Sequence, residues 1–301
     1  MNNQSPPHPA RGVLLLLISL LLFAALDATA KHLTATFAVP LLVWARYTFH
    51  LLLMIVFLMP TMRGRLIRTQ NLRDQVLRGL FLLGTTACAV SALRTMPLAE
   101  TSALVFLSPL IVTLLAGPLL GEKISGWRWV IAIAGFGGVL LIVRPGGALA
   151  GEGIAYALLS ALFYSLYQLL TRKLSAAENS VTLLFYTALV GSVASSAALP
   201  WLTWTWDGAL ATPLNILLIA SLGIYGGAGH FLVIRALHHA PASTLSPYFY
   251  VQLIWSTLLG WLLFDHFPDA WALTGMGVIA ASGVAIALTS RRATADTDRA
   301  Y

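Results

Sequence analysis

The sequence predicts an all-α integral membrane protein: ten transmembrane helices as two inverted five-helix repeats, with both termini cytoplasmic. Three observations predict it. First, 58% of the 301 residues are hydrophobic and only 10% are charged, with a mean hydropathy of +0.81. Soluble chains carry roughly 25% charged residues. Second, the stretch 92–143 is written twice. Displaced by 144 positions, Ala92, Leu93, Pro97, Ser102, Thr113 and Trp127 meet Ala236, Leu237, Pro241, Ser246, Thr257 and Trp271. At a displacement of 141, Gly12, Ser19, Lys31 and Leu33 meet Gly153, Ser160, Arg172 and Leu174. Third, the apolar runs number ten, five to a half. An odd number makes the second copy enter the bilayer from the opposite side.

A helix needs about 20 residues to cross the hydrocarbon core. Segments of that kind fall at 12–32, 38–60, 75–94, 97–120, 125–143, 152–172, 180–200, 213–235, 241–264 and 269–290. They divide the chain into a disordered tail at 1–10, a first repeat at 11–146, a second at 147–292 and a tail at 293–301. Val13–Leu26 runs on into Asp27–Lys31 without the small-residue pattern of a cleavable signal peptide. The lone cysteine, Cys88, excludes an internal disulfide.

Orientation follows from Lys and Arg in the breaks. With both termini inside, the inner side holds Arg11, the Arg63–Arg78 group, Lys123, Arg128, Arg172, Lys173, Arg235, Arg291, Arg292 and Arg299. The outer side holds Lys31, Arg94 and Arg144, and Arg46 lies within the second span. The net charge of +7 is therefore a topology signal and not a nucleic-acid surface. The basic break 61–75 suits anionic headgroups. Small residues four apart predict close helix contacts at Gly117/Gly121, Gly223/Gly227 and Gly277/Ala281. Trp201, Trp204 and Trp206 read as interfacial anchors.

No phosphate loop, paired-histidine metal motif or nucleophile–base pair is present, so neither an enzyme nor a cofactor or metal site is expected. His238 and His239 read as a solvated pair in a break, and Glu122 with Lys123 as charges at a helix end. Polar groups at membrane depth carry the information, because a charge there costs roughly 2.5–3.5 kcal/mol without a partner or a wet cavity. Asp27 and Lys31 are four apart on the first span, and Arg46 lies about 12 Å below the outer surface. Asp27, Arg46 and Glu100 are expected to meet in the outer half, either pinning helices together or serving as an outer gate or the seat of a charged substrate group; Asp27, Lys31, Glu100 and Pro109 are the gate or coupling candidates. Pro109 is expected to bend the fourth span and release a carbonyl. Tyr164 with Tyr167 and Gln168, Tyr225 with His230, and Tyr248 with Tyr250, Gln252 and Trp255 cluster on three spans and suit a cavity for a flat amphipathic solute. At equivalent positions the halves differ, Asp27 against Gln168 and Arg46 against Thr187, which suits an asymmetric solute.

With Trp44-Ala-Arg46, the run Leu93–Ser102, Gly121-Glu122-Lys123, Ala240–Ser243 and Phe264-Asp265, the chain resembles the drug/metabolite transporter superfamily, in the ten-helix branch with two EamA-type repeats. The resemblance covers residues 10–290, and Asp265 stands where the repeat often has Glu. It implies a bacterial inner-membrane permease working by alternating access. Spans 1–4 and 6–9 would line the cavity, and one chain would suffice as a monomer. It is also similar to exporters of aromatic and neutral amino acids. For such a zwitterion, Arg46 or His230 would take the carboxylate and Asp27, Gln168 or Gln252 the amine. The competing expectations are an exporter of cationic drugs and a scaffold that transports nothing.

Overall fold

A computed structural model describes residues 9–62, 66–120, 126–144, 149–175, 177–197, 199 and 212–298. The helices are α1 (Pro9–Leu33), α2 (Val39–Met62), α3 (Leu72–Thr95), α4 (Leu98–Val105), α5 (Ser108–Leu120) and α6 (Gly126–Val143). They continue as α7 (Gly151–Leu174), α8 (Ser180–Ser196), α9 (Pro213–His239), α10 (Ala242–Leu245), α11 (Val251–Phe264) and α12 (Ala270–Asp298). A 3-10 segment, Ser246–Tyr250, joins α10 to α11. Among the described residues, nine spans are long and apolar enough to cross a membrane, and α8 is a shorter apolar helix. Each expected span contains an α-helix among its described residues. Gly121, Glu122, Lys123, Trp201, Trp204 and Trp206 lie outside the described residues, as do the contacts of Gly117 and residues 1–8.

Several expectations are corrected. The fourth span is two helices, parted at Phe106 and Leu107, one turn ahead of Pro109. There the ring excludes the preceding carbonyl and no N–H is offered to it. The ninth span is broken too, at Ser246-Pro247, where proline fits the first turn of the 3-10 segment. His238 and His239 belong to the last turn of α9, whose unpaired carbonyls favour such side chains. Residues 293–298, expected as tail, extend α12.

The helices pack with two-fold pseudosymmetry. α1 packs on α9 and its counterpart α7 packs on α3, while α6 and α12 pair with each other. The hydrogen bonds repeat as well: Ser19 donates to the Gly229 carbonyl at 2.8 Å, and Ser160 to the Thr85 carbonyl at 3.0 Å. Gly12 and Gly153 admit equivalent close approaches, to Ala240 and to Met96. Gly223 lies against Phe49 and the His50 backbone, and Gly227 against the His50 ring, as the small-residue spacing predicts. Gly277 and Ala281 are instead exposed. The α6–α12 crossing is made by Gly138 and Gly275, where an added Cβ would stand 2.7 Å and 2.5 Å from the facing carbonyl. Large apolar side chains such as Phe57, Leu140, Val193 and Ile254 cover the outside, as a lipid-facing surface requires.

The connections between spans gather at two ends. At the terminal end lie the start of α1 and the α2–α3 and α7–α8 connections. There Lys173 pairs with Asp74 at 2.8 Å, and Glu178 accepts from Thr69 at 2.6 Å and from the Asn71 side chain at 3.2 Å. Partial burial pushes the Glu178 pKa up, but these bonds and the Gln70 N–H outweigh it and hold it below the ordinary value. At the far end Arg144 pairs with Asp269. Asp269 accepts from the Ala272 N–H at 2.8 Å as it caps α12. That bond, followed by Arg144, holds its carboxyl below the usual range.

Candidate solute site in the helix bundle

The interior between the repeats is polar. Arg46, half-buried on α2, extends towards α9, where Gly226 leaves room. A Cβ on Gly226 would stand 3.7 Å from the arginine Nε. The guanidinium lies 5.9 Å from the Tyr47 ring centre. Asp27, His50, Tyr164 and His230 lie within electrostatic range of it. His230 lies parallel to His50 with ring centres 6.2 Å apart, and edge-on to Phe23 at 4.9 Å. The missing side chain of Gly229 makes room for Phe23. His50 is buried, and its Nε2 has no hydrogen-bond partner.

On the facing helix α7, Tyr164 and Tyr167 stack at 5.8 Å. Gln168 reaches the Ser108 hydroxyl at 3.5 Å, beside the α4–α5 break. The Ser108 carbonyl accepts from Ser165 at 3.0 Å. Arg78 stacks over Tyr167 at 5.0 Å and donates to Thr171 at 3.2 Å, to Thr187 at 2.7 Å and to the Leu183 carbonyl. It is almost fully buried, inside the third span rather than in the flanking break where its charge suggested a topology signal.

Of the twelve residues singled out in the sequence, Asp27, Tyr164 and His230 lie within electrostatic range of Arg46, and Gln168 is close to the helix break. Tyr225 is half-buried beside Gly226, and Gln252 is buried on α11. Trp255 packs near Leu16, Leu20 and Leu245 with its indole N–H buried and unpartnered. Tyr248 is exposed. Glu100 does not join Arg46: its Oε1 meets His266 Nε2 at 3.0 Å at the far end. The left-handed turn at Asp265 (φ 52°) that ends α11 sets up that contact. Nor does Lys31 turn to Asp27. Its ammonium donates to the carbonyls of Leu93 at 2.9 Å and Met96 at 2.7 Å, and lies 5.5 Å from the Phe264 ring centre. Carbonyls at a helix end lack partners within the helix and form a ready cation site.

Sequence reasoning missed His50 and Arg78 and left Tyr167 in a supporting place. Helical spacing carried the signal for two of them, because His50 follows Arg46 by four residues and Tyr167 follows Tyr164 by three.

A pseudo-two-fold bundle of apolar spans, with broken helices beside a polar core, is the architecture of a membrane solute carrier. The chain belongs to the EamA-like transporter family, whose model matches residues 10–144 and 151–289, one repeat each. It is 27% identical over 284 residues to an S-adenosylmethionine uptake transporter of Rickettsia bellii, covering 94% of this chain and 95% of that one. It is 27% identical to the pseudopaline exporter of Pseudomonas aeruginosa strain PAO1, covering 93% and 97%. To the riboflavin transporter of Vibrio cholerae it is 26% identical, covering 91% and 92%. A solved structure at 21% identity superposes with a TM-score of 0.64 over 94% of this chain and 98% of the other, which shows the shared fold. The protein is a multi-pass transporter, and its bacterial relatives fit the inner membrane.

Proposed function

We propose that the protein exports a zwitterionic metabolite of amino-acid type that carries a flat or aromatic group, with aromatic and large neutral amino acids as the first set. One observation carries the reading: a carboxylate and a guanidinium, Asp27 and Arg46, share a half-buried interior with two aromatic pairs. Arg46 takes the solute carboxylate, helped by His230, and Asp27 with Gln168 takes the amine. The Tyr164–Tyr167 stack receives the flat part. The known solutes of the relatives fit this class in part, since S-adenosylmethionine is an amino acid joined to a flat base.

The orientation rests on the excess of basic residues at the terminal end, which puts both termini in the cytoplasm. Residues 11–146 and 147–292 act as inverted halves, and one chain supplies both. Lys31 and Glu100 serve as an outer gate.

The test is flux of labelled L-tryptophan, L-phenylalanine, L-leucine and S-adenosylmethionine in proteoliposomes, with and without a pH gradient. Saturable movement of one of these supports the reading, and Arg46→Leu should lower it at least tenfold. Normal transport by both Arg46→Leu and His230→Leu, folded by size-exclusion chromatography, would sink the assignment. Flux of an organic cation alone, lost in Asp27→Asn, would make the protein a cation exporter.

A further inference from the structure

The two ends of the bundle break the pseudosymmetry, and the break names a residue. At the far end α1 packs on α3, with Lys31 on the Leu93 and Met96 carbonyls. Leu93 is 2% exposed. Their counterparts in the second repeat are Arg172 on α7 and Leu237 and Ala240 at the end of α9. α7 and α9 are not among the helix pairs with substantial packing. Arg172 is exposed, and Leu237 is 45% exposed. Gly12 against Ala240 and Gly153 against Met96 keep their equivalence. The asymmetry is therefore local to the α7–α9 side of the terminal end.

We propose that Arg172 closes the terminal end as Lys31 closes the far end, by donating to the Leu237 and Ala240 carbonyls when α7 meets α9, and that the two latches form in alternation. The inference rests on the alternating-access reading above. Its chemistry is already present at the far end: a cation on one helix satisfying the last-turn carbonyls of another. Arg172 stands at the repeat position of Lys31, with those carbonyls three residues further along the chain than Leu93 and Met96 are from Lys31, and a guanidinium reaches at least as far as an ammonium. It engages another partner in the present structure, so closure exchanges one partner for another. Release of Lys31 and capture of Arg172 leave the number of such bonds nearly constant. That keeps the two states close in free energy, as a carrier that must visit both requires.

The experiment needs no solute. A reporter cysteine, His230→Cys in a Cys88→Ser background, is labelled in oriented proteoliposomes with a membrane-impermeant maleimide added to either side. The unlatched α7–α9 gap predicts faster labelling from the terminal side. Lys31→Gln should move the ratio towards the far side by roughly tenfold, the weight of one charge-assisted hydrogen bond. Arg172→Gln should move it the other way, Arg172→Lys should stay near the parent, and the double Gln variant should return towards it. The proposal fails if Arg172→Gln leaves the ratio unchanged in both the parent and Lys31→Gln backgrounds while the protein remains monodisperse. If the chain is inserted the opposite way, the sides exchange but the two substitutions still oppose each other. A wrong orientation is thereby separated from a wrong latch, and the amino-acid fluxes test the solute independently.

Discussion

Arg46 and Arg78 show how position decides what a buried cation does. Arg78 is wrapped by Thr171, Thr187 and the Leu183 carbonyl and by the Tyr167 face. Arg46 keeps accessible surface near Asp27 and the histidine pair. The first is a strut joining α3 to α7 and α8; the second is the group to which we assign the solute carboxylate. Outside the spans, Glu178 ties two connections together at the terminal end. Its folded pKa lies below its unfolded value. Its contribution is therefore present above the ordinary glutamate range and lost as pH falls through the folded value. Glu178→Gln should lower the melting temperature slightly at pH 7, and the difference from the parent should vanish in acid. Thermal unfolding in detergent at both pH values measures it, and a difference that persists in acid would contradict the charge-dependent account.

The helix crossings depend on small residues on the correct face. Gly275 and Gly138 bring the backbones of α6 and α12 together, whereas Gly277 opens onto empty space. Gly275→Ala should destabilise by about 1–3 kcal/mol through overpacking, and Gly277→Ala should be neutral or slightly stabilising in a helix interior. Comparing the two melting curves checks the face directly; equal loss at both positions would refute it. Gly283 belongs to the same class, since a side chain there would collide with the Tyr250 hydroxyl. The spacing Gly277–Ala281 misled because a four-residue interval marks a face without saying which neighbour covers it.

As a whole, the molecule is two copies of one hydrophobic unit with unlike charges. The symmetric Ser19 and Ser160 bonds hold the frame, and the asymmetric pairs Asp27/Gln168 and Arg46/Thr187 give it polarity. The proposed orientation, with both termini cytoplasmic, predicts that a periplasm-dependent phosphatase fused after Asp269 is active and one fused after Glu178 inactive. The reverse pattern would overturn the orientation drawn from the basic residues.

The apolar helices, the duplication and the family resemblance were legible in the sequence, because lipid imposes one rule on every helix: about twenty apolar residues with backbone bonds closed inside; of the ten spans expected, nine are long enough among the described residues and the eighth is a shorter helix. Asp27, Arg46, Tyr164 and His230 were legible for the same reason, as polar groups where that rule makes them costly. Partnership was not. That Glu100 meets His266 and leaves Arg46 to Asp27 and the histidines, that Lys31 caps α3, and that His50 and Arg78 join the interior depend on helix rotation and on where two spans break. Those are settled by contacts between residues far apart in the chain, which only the tertiary structure brings together.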